Sequence, residues 1–111
     1  PFSPDIVIGI DDVFDRKVEM VHSHTSQMYE WLPYNRGVLH TVPTGDEERK
    51  EWLREHFLDP RDRADRYRNR LIELYGEAEG KAIRYAEAFE VCEYGRPLQL
   101  TRTEIENVFV L

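Results

Sequence analysis

The sequence has little of three things that mark particular classes of protein. Cys92 is its only cysteine, so an internal disulfide is impossible and a reducing, cytoplasmic compartment is the simplest context. No apolar run approaches the roughly 20 residues that a membrane-spanning helix needs. Positive charge is not in excess: the formal net charge is −7, and the densest basic run, residues 61–70, is interrupted by Asp62 and Asp65. Because phosphate binding needs clustered positive charge, we expect neither a nucleic-acid partner nor a membrane span.

What the sequence does contain suits one small folded domain. Its 111 residues are 41% hydrophobic and 12% aromatic, which is enough for a single core. The charged fraction of 33% is mixed in sign and does not indicate disorder. We therefore predict a single domain or fragment over 1–111, with a strand–helix unit at 5–32, a helical insert at 44–76 and an extended carboxy-terminal segment at 81–111.

The first structural signal is a β-branched run, Asp5 to Ile10, that leads directly into a helical pattern. Because the run is apolar on both faces, it predicts a strand covered on both sides, as in a parallel sheet. Asp11 or Asp12 would cap the following helix, and Pro33 would end it. Spacings of four and three predict the buried stripe of that helix: Phe14, Val18, Val21, Thr25 and Met28.

The helical insert contains signals for two further helices. Thr44 and Glu47 form a capping-box pattern, and Asp59 followed by Pro60 is typical of a helix start. The first of these helices has an apolar face of Trp52, Leu53, His56 and Phe57. The second has a buried side of Ala64, Tyr67, Leu71 and Leu74, ends at Gly76, and carries Asp62 and Arg66 as a pair on its wet side.

The segment from Lys81 to Tyr94 fits two structures. Its apolar residues at 83, 85, 89 and 91 share one parity, which favours an extended segment with Glu87 on the same side. The run AEAFE would equally suit a helix. We favour the strand, followed by a turn at Gly95–Pro97 and a short final element at Thr101–Leu111.

The predicted first strand needs more neighbours than the chain offers. Its pattern requires cover on both faces and both edges, yet at most one or two partner strands are available. We expect the remaining neighbours to come from sequence before Pro1 or from another chain.

One group of side chains has the spacing of a metal site. Asp15, Glu19 and His22 share a helical face and could hold a divalent cation, although a solvated face of charged residues is the commoner explanation. His22 and His24 would point about 200° apart on a helix and cannot share an ion. Because no metal-ligand or nucleophile motif occurs, we expect no metal site in this chain alone.

A polar stripe runs beside the apolar one on the first helix. Lys17, His24 and Gln27 are separated by seven and three residues and would lie in line. Such a stripe either holds a neighbouring loop by hydrogen bonds or borders a ligand cleft at the carboxyl end of a sheet. The structural role is the more common one for polar side chains.

Two segments resemble one family of enzymes. PDIVIGIDDVFDRKVEMVHSHTSQ, from Pro4 to Gln27, resembles the later part of the LmbE-like or PIG-L-type N-acetylglucosaminyl deacetylases, in which a strand ending in D-I-[ST]-[DE]-V leads into a helix carrying K and then H-x-S-Q. YAEAFEV, from Tyr85 to Val91, resembles the Y-A-E-A-F segment near the carboxy terminus of that family. The residues that match the first pattern are Ile10, Asp12, Val13, Lys17, His24, Ser26 and Gln27.

The resemblance implies the carboxy-terminal portion of a Rossmann-like α/β sheet with about three helices, helix-rich as an isolated chain. Members of the family use one zinc ion to remove an acetyl group from an amino sugar or glycoconjugate: zinc polarises the amide carbonyl and activates water, and an aspartate is the general base. The ligands and base come from H-P-D-D-type and H-P-D-H-type motifs. Neither motif occurs in these 111 residues, so no zinc ligand or catalytic base is assigned here and the chain alone is expected to be inactive.

For this chain the resemblance implies supporting residues. Lys17, His24 and Gln27 would orient the active-site loops or line the outer cleft, and Tyr85 and Glu87 would contact the cleft or a neighbouring subunit. For Glu87, a buried acid satisfied by the backbone or an arginine is the competing interpretation.

The sequence thus favours the carboxy-terminal part of a zinc-dependent N-deacetylase, acting with a missing amino-terminal part or a partner chain, and a homo-oligomer is compatible with it. The alternative is a non-catalytic interaction or assembly module. Aromatic side chains that suit interfaces support this alternative: Trp31, Tyr34, Trp52 and Tyr67.

Overall fold

The computed structural model describes residues 2–58, 62–91 and 94. The chain divides into two compact units. The first, which we call the sheet unit, comprises the described residues of Pro1–Gly9 and Ala64–Leu111, and the second, the helical unit, those of Ile10–Arg63. The predicted strand–helix unit and helical insert each contribute to both.

Seven α-helices and β-strands lie within the described residues. In order they are β1 (Ile6–Gly9), α1 (Phe14–His22), α2 (Leu32–Asn35), α3 (Asp46–Leu53), α4 (Arg68–Tyr75), α5 (Glu77–Ala82) and β2 (Ala86–Phe89). Short 3₁₀ turns lie at Asp11–Val13, Leu39–Thr41 and Ala64–Tyr67, and π-helical turns at Gln27–Trp31 and Arg54–Leu58. The fold is therefore helix-rich with a small sheet. No described helix is long and apolar enough to cross a bilayer.

The sheet of the first unit consists of two antiparallel strands. Ile6 of β1 lies opposite Phe89 of β2, and Gly9 lies opposite Ala86. Val7 and Ile8 are 1% and 4% exposed, so the predicted burial of β1 on both faces is confirmed, as is a strand within 81–94. The parallel pairing inferred from that burial is wrong for these two strands, because cover on both faces does not depend on strand direction.

The core of the sheet unit lies between the strands and α4. Its buried residues are Val7, Ala64, Leu71, Ile83 and Ala86, and Tyr67 and Leu74 pack against them half-buried. The buried side predicted for this region is therefore confirmed, although α4 itself begins only at Arg68. Gly76 ends α4, as predicted, with a φ of 85° that favours glycine.

The first helix of the helical unit is shorter than its sequence pattern. Phe14 and Val18 are buried as predicted, and Val21 and Met28 are half-buried. Thr25 is exposed, because α1 ends at His22 and the face of the helix does not continue to it. The Ser23 hydroxyl donates a hydrogen bond to Met20 O at 2.6 Å in that last turn.

Pro33 does not end the first helix as predicted. It lies inside α2, after the π-helical turn, and is buried. In the first turn of a helix a backbone N–H has no partner within the helix, so proline is tolerated there.

The predicted side-chain caps are also absent from the described helix starts. Neither Asp11 nor Asp12 caps a helix, because both lie inside the 3₁₀ turn that precedes α1. Gly45, not Thr44, precedes α3, and no side chain caps that end. The apolar face of α3 is confirmed at Trp52, Leu53 and Phe57, whereas His56 is exposed. Three predicted features lie outside the described residues: the helix start at Asp59–Pro60, the turn at Gly95–Pro97 and the final element at Thr101–Leu111.

Candidate functional site

The five residues predicted to support a site are divided between the units. Lys17, His24 and Gln27 belong to the helical unit, and Tyr85 and Glu87 belong to the sheet unit. Each group is described within its own unit.

In the sheet unit, Tyr85 and Glu87 lie on or beside the strand that pairs with β1. Glu87 is half-buried and opposite Ile8. Tyr85 is half-buried just before β2, with the guanidinium carbon of Arg84 5.7 Å from its ring centroid. The strand at the start of the first resembling segment, Ile6–Gly9, is therefore paired with the strand within the second, Ala86–Phe89.

Side chains of α4 hold both ends of β1. Arg70 Nη2 donates to Asp5 O at 2.8 Å, and Gly9 N donates to the Tyr75 hydroxyl at 3.2 Å. The Asp5 carboxylate accepts a hydrogen bond from Val91 N at 2.7 Å. These contacts fix where β1 lies against α4 and, through β1, the position of Glu87.

A second arginine of α4 fixes the segment that leads into Tyr85. Arg68 Nη1 lies 2.5 Å from Gly80 O and 2.8 Å from Ile83 O at the end of α5. The last carbonyls of a helix have no partner within the helix, so a guanidinium that reaches them satisfies otherwise unpaired acceptors. Sequence reasoning missed this role, because nothing in the local pattern links Arg68 to residues so far along the chain.

In the helical unit, Lys17 forms an ion pair. Its Nζ lies 2.9 Å from Asp62 Oδ2, and the two side chains are 26% and 10% exposed. The predicted pairing of Asp62 with Arg66 on a wet helix face is wrong, because a 3₁₀ turn at Ala64–Tyr67 breaks the helical spacing and Asp62 is buried.

Replacing Lys17 by methionine is expected to lower the free energy of unfolding by about 1–2 kcal/mol, because the largely buried Asp62 carboxylate loses its contact with the Lys17 ammonium. The stem of methionine keeps the apolar contacts. Asp62→Asn in the same background should recover part of the loss, with a coupling of about 1 kcal/mol in a double-mutant cycle from urea titrations. Unchanged stability in Lys17→Met would contradict a stabilising role for the ion pair of Lys17 with Asp62.

His24 and Gln27 do not continue the line of Lys17. Because α1 ends at His22, the predicted polar stripe is interrupted after its first member. His24 is exposed and its carbonyl accepts a hydrogen bond from Met28 N at 2.9 Å. Gln27 begins the π-helical turn and is exposed.

The charged face of α1 that had the spacing of a metal site is paired with α3. Acidic side chains of α1 face basic side chains of α3 and of the turn that follows it, and His22 faces Asp46. The three pairs are Asp15–Arg54 at 2.9 Å, Glu19–Lys50 at 2.9 Å and His22–Asp46 at 3.8 Å. Asp15, Glu19 and His22 thus each contact a partner on α3 or on the turn that follows it. Throughout the described ranges, no three His, Cys, Asp or Glu side chains are grouped as metal ligands would be.

A buried tyrosine lies beside this face. Tyr29 is 2% exposed, and its hydroxyl lies 2.6 Å from His22 Nδ1. The guanidinium carbon of Arg49 is 4.8 Å from its ring centroid, and the indole of Trp52 packs at 6.3 Å. The sequence analysis did not identify Tyr29. Its separation of seven residues from His22 was the signal that could have indicated a contact between the two side chains.

Burial raises the pKa of Tyr29 from its ordinary 10.0 to about 12, and Arg49 opposes the rise. The folded protein therefore keeps the phenol neutral where the unfolded chain has lost the proton. This contribution to stability is present below pH 10 and is lost as the pH rises towards 12, at most about 2–3 kcal/mol.

We expect Tyr29→Phe to flatten the fall in stability between pH 10 and 12, as measured by urea unfolding at several pH values. The Glu19 and Glu47 carboxylates accept hydrogen bonds from Lys50 and raise its pKa from 10.5 to about 12, so part of the fall remains in the variant. Tyr94→Phe, which alters an 88% exposed tyrosine, is the control, and its stability should fall between pH 10 and 12 as steeply as that of the unchanged protein. If the stability of Tyr29→Phe fell with pH as steeply as that of the unchanged protein, the raised pKa of Tyr29 would be contradicted.

The helical unit has an open surface that we call the aromatic depression. Its volume is about 500 Å³, and it is lined by Ser26, Gln27, Glu30, Trp31, Tyr34 and Leu39. Trp31 and Tyr34 are 57% and 71% exposed. Of the aromatic residues predicted for an interface, these two are available.

The other two predicted interface residues are less exposed. Trp52 is 5% exposed and donates its indole N–H to Thr41 Oγ1 at 3.1 Å, and Tyr67 packs half-buried on the core of the sheet unit. An interface role for Trp52 is therefore wrong, and for Tyr67 it stays a prediction.

Comparison with known proteins identifies no relative: no family model, curated protein or solved structure matches this chain. Proposals about its function rest on the residues and geometry described above.

Proposed function

We propose that this chain is the carboxy-terminal part of a zinc-dependent N-deacetylase, a hydrolase that removes the acetyl group of an amino sugar or glycoconjugate. The observation that carries the proposal is the pairing of β1 with β2, which puts Ile8 opposite Glu87. The strand that begins the first deacetylase-like segment thus lies beside the strand within the second, which supports assigning the two to one sheet.

In the proposed intact protein, β1 and β2 would form the edge of a Rossmann-like sheet. Largely parallel sheets often carry an antiparallel edge strand, so the pairing of β1 and β2 is compatible with such a sheet. The remaining strands would belong to an amino-terminal part or to a partner chain, including a second copy. The single Cys92 suits a reducing, cytoplasmic location for this protein.

The proposal gives the residues of this chain supporting roles. Lys17 would hold α1 in position through Asp62, which leaves His24 and Gln27, both exposed, to line the outer cleft. Tyr85 and Glu87 would contact a cleft or a neighbouring subunit. Zinc, its ligands and the general base would belong to the amino-terminal part, where the metal would polarise the amide carbonyl and activate water.

The test is reconstitution with the sequence encoded immediately upstream in the same reading frame. We expect that sequence to contain an H-P-D-D-type motif, and the joined protein to bind one zinc ion and release acetate from N-acetylglucosamine conjugates until a chelator is added. Residues 1–111 alone should release none, and added zinc should not raise their thermal midpoint, because a ligand stabilises only a native state that binds it. A joined protein without the motif, zinc or acetate release would sink the proposal.

A second candidate function is that of a non-catalytic interaction module. The observation that favours it is the aromatic depression, since exposed tryptophan and tyrosine are enriched at protein interfaces. This function requires binding that persists without zinc and without upstream sequence.

A further inference from the structure

We propose that the aromatic depression binds an arginine-bearing segment of a partner protein. The inference rests on the second proposed function, that of an interaction module, and does not depend on deacetylase activity.

The helical unit already packs arginine side chains over its own aromatic rings. A guanidinium within about 6 Å of a ring centroid is attracted by the negative face of the ring. Three rings of the unit have such a partner: Phe57 with Arg36 at 4.1 Å, Tyr29 with Arg49 at 4.8 Å and Phe14 with Arg54 at 5.6 Å.

Trp31 and Tyr34 are the exposed rings of the same unit. Among the contacts of the described residues, no arginine lies over either ring. They follow one another at a spacing of three along the π-helical turn and α2, so they lie on neighbouring parts of one surface. Among aromatic side chains, tryptophan attracts a cation most strongly. An arginine from another molecule would therefore make a cation–π contact here like those that the unit's own arginines make with Phe14, Tyr29 and Phe57.

The charge of the depression selects a cation. Of the six lining residues, Glu30 alone is charged, so an incoming guanidinium meets a carboxylate beside two rings and no competing Lys or Arg. A guanidinium presents its N–H groups in a planar fork that matches a carboxylate, and the Gln27 carbonyl and Ser26 hydroxyl provide further acceptors. The formal net charge of −7 favours the approach of a basic partner over an acidic one.

The open shape favours a peptide segment over a single small cation. Contacts between a cation and an exposed ring are individually weak, so useful affinity needs several contacts along one ligand. Leu39, 44% exposed at one side, can cover the aliphatic stem of an arginine, and neighbouring residues of a segment can contact the rim.

The experiment compares three peptides of equal length in a Gly/Ser background, carrying arginine, lysine or the neutral arginine analogue citrulline at the same positions. Binding to the full chain is followed at low salt by titration calorimetry and by the NMR signals of the two indole N–H groups. We expect the arginine peptide to shift the signal of Trp31 and not that of buried Trp52. The lysine peptide should bind about threefold more weakly and the citrulline peptide at least about tenfold more weakly.

Variants of exposed residues test the surface itself, and circular dichroism checks that each is folded. Trp31→Ala and Tyr34→Ala should each weaken binding of the arginine peptide about threefold to fivefold, and Glu30→Gln should also reduce its salt dependence. Matched controls outside the depression are Glu55→Gln and Tyr94→Ala, which alter an exposed carboxylate and an exposed ring and should leave binding unchanged.

Four results would overturn the proposal. The first is equal binding of the citrulline peptide, and the second is an equal loss of binding in the two control variants. The third is a shift of the Trp31 signal produced by N-acetylglucosamine and not by the arginine peptide. The fourth is self-association of the chain that Trp31→Ala abolishes, without any peptide binding. None of them bears on zinc content or acetate release, so failure here is distinguishable from failure of the deacetylase proposal. Binding of another partner at Trp31 would leave the interaction module standing and reject the arginine segment.

Discussion

Gly80→Ala is expected to lower the free energy of unfolding by about 3 kcal/mol, although alanine is ordinarily the better helix former by about 0.5–1 kcal/mol. A Cβ on Gly80 of α5 would lie 2.7 Å from Ile72 N, Ile72 Cα and Leu71 O of α4. These are backbone atoms and cannot rotate away, so the two helices would have to move apart. That movement would also lengthen the contact of Arg68 with Gly80 O, now 2.5 Å. Urea unfolding followed by circular dichroism measures the loss.

Gly45→Ala is the matched control for this substitution. A Cβ there also meets a close neighbour, but that neighbour is the carboxylate of Glu48, the far end of a flexible and exposed side chain. Gly45 has extended backbone angles, φ −81° and ψ 150°, that any residue adopts. We expect a change within about 0.5 kcal/mol. If Gly80→Ala proved as harmless as Gly45→Ala, the close approach of α4 and α5 would be contradicted.

The two strands show what a local pattern can and cannot predict. Alternation and β-branched residues predicted extended structure at Ile6–Gly9 and within 81–94, since both signals act over a few residues. The pairing of the strands depends on the path of the chain between them. That path is set by contacts such as those of Arg70 and Tyr75 with the ends of β1, which no spacing within the strands encodes.

Helix ends were predicted least well where the chain leaves regular α-helix. The spacing of apolar residues runs on from Phe14 to Met28 as though one helix continued, and so Thr25 was predicted to be buried. In the structure α1 stops at His22, and a π-helical turn follows at Gln27–Trp31. A change of turn type shifts the face that later residues present, and residue spacing alone does not reveal where it occurs.

The charged side chains of α1 illustrate a second limit. Helical periodicity correctly places Asp15 and Glu19 on one face, but it does not say what lies opposite. The opposing Arg54 and Lys50 of α3 turn a possible ligand set into ion pairs. The same limit applies to Lys17, whose partner Asp62 lies far along the sequence.

Exposure of aromatic residues is also decided by tertiary packing. Trp31 and Trp52 were equally good candidates for an interface, because composition does not distinguish a buried ring from an exposed one. The structure separates them at 57% and 5% exposure. This difference makes the aromatic depression a candidate for binding and Trp52 part of the core.

Leu71→Ala is expected to lower the free energy of unfolding by about 3–4 kcal/mol, in the upper part of the range for buried leucines. The side chain is 0% exposed within the core of the sheet unit. The cost grows with the cavity that remains, and neighbours that cannot move inward leave a larger one. Val7 is such a neighbour, because α4 holds β1 at Asp5 through Arg70 and at Gly9 through Tyr75. The measurement is urea unfolding followed by circular dichroism.

Two variants separate the cavity from other causes. Leu71→Met conserves most of the volume and should cost less than about 1.5 kcal/mol. Leu74→Ala removes the same atoms from a half-buried position on the same helix, so it should cost clearly less than Leu71→Ala. Equal losses at Leu71 and Leu74 would mean that the core relaxes around the missing side chain, and the inference that α4 holds β1 rigidly would then be wrong. If Leu71→Met keeps the stability and Leu71→Ala loses it, the stability of the sheet unit depends on the packing of this one side chain against Val7. Helix propensity and hydrophobicity differ little between leucine and methionine, so the methionine variant tests packing alone.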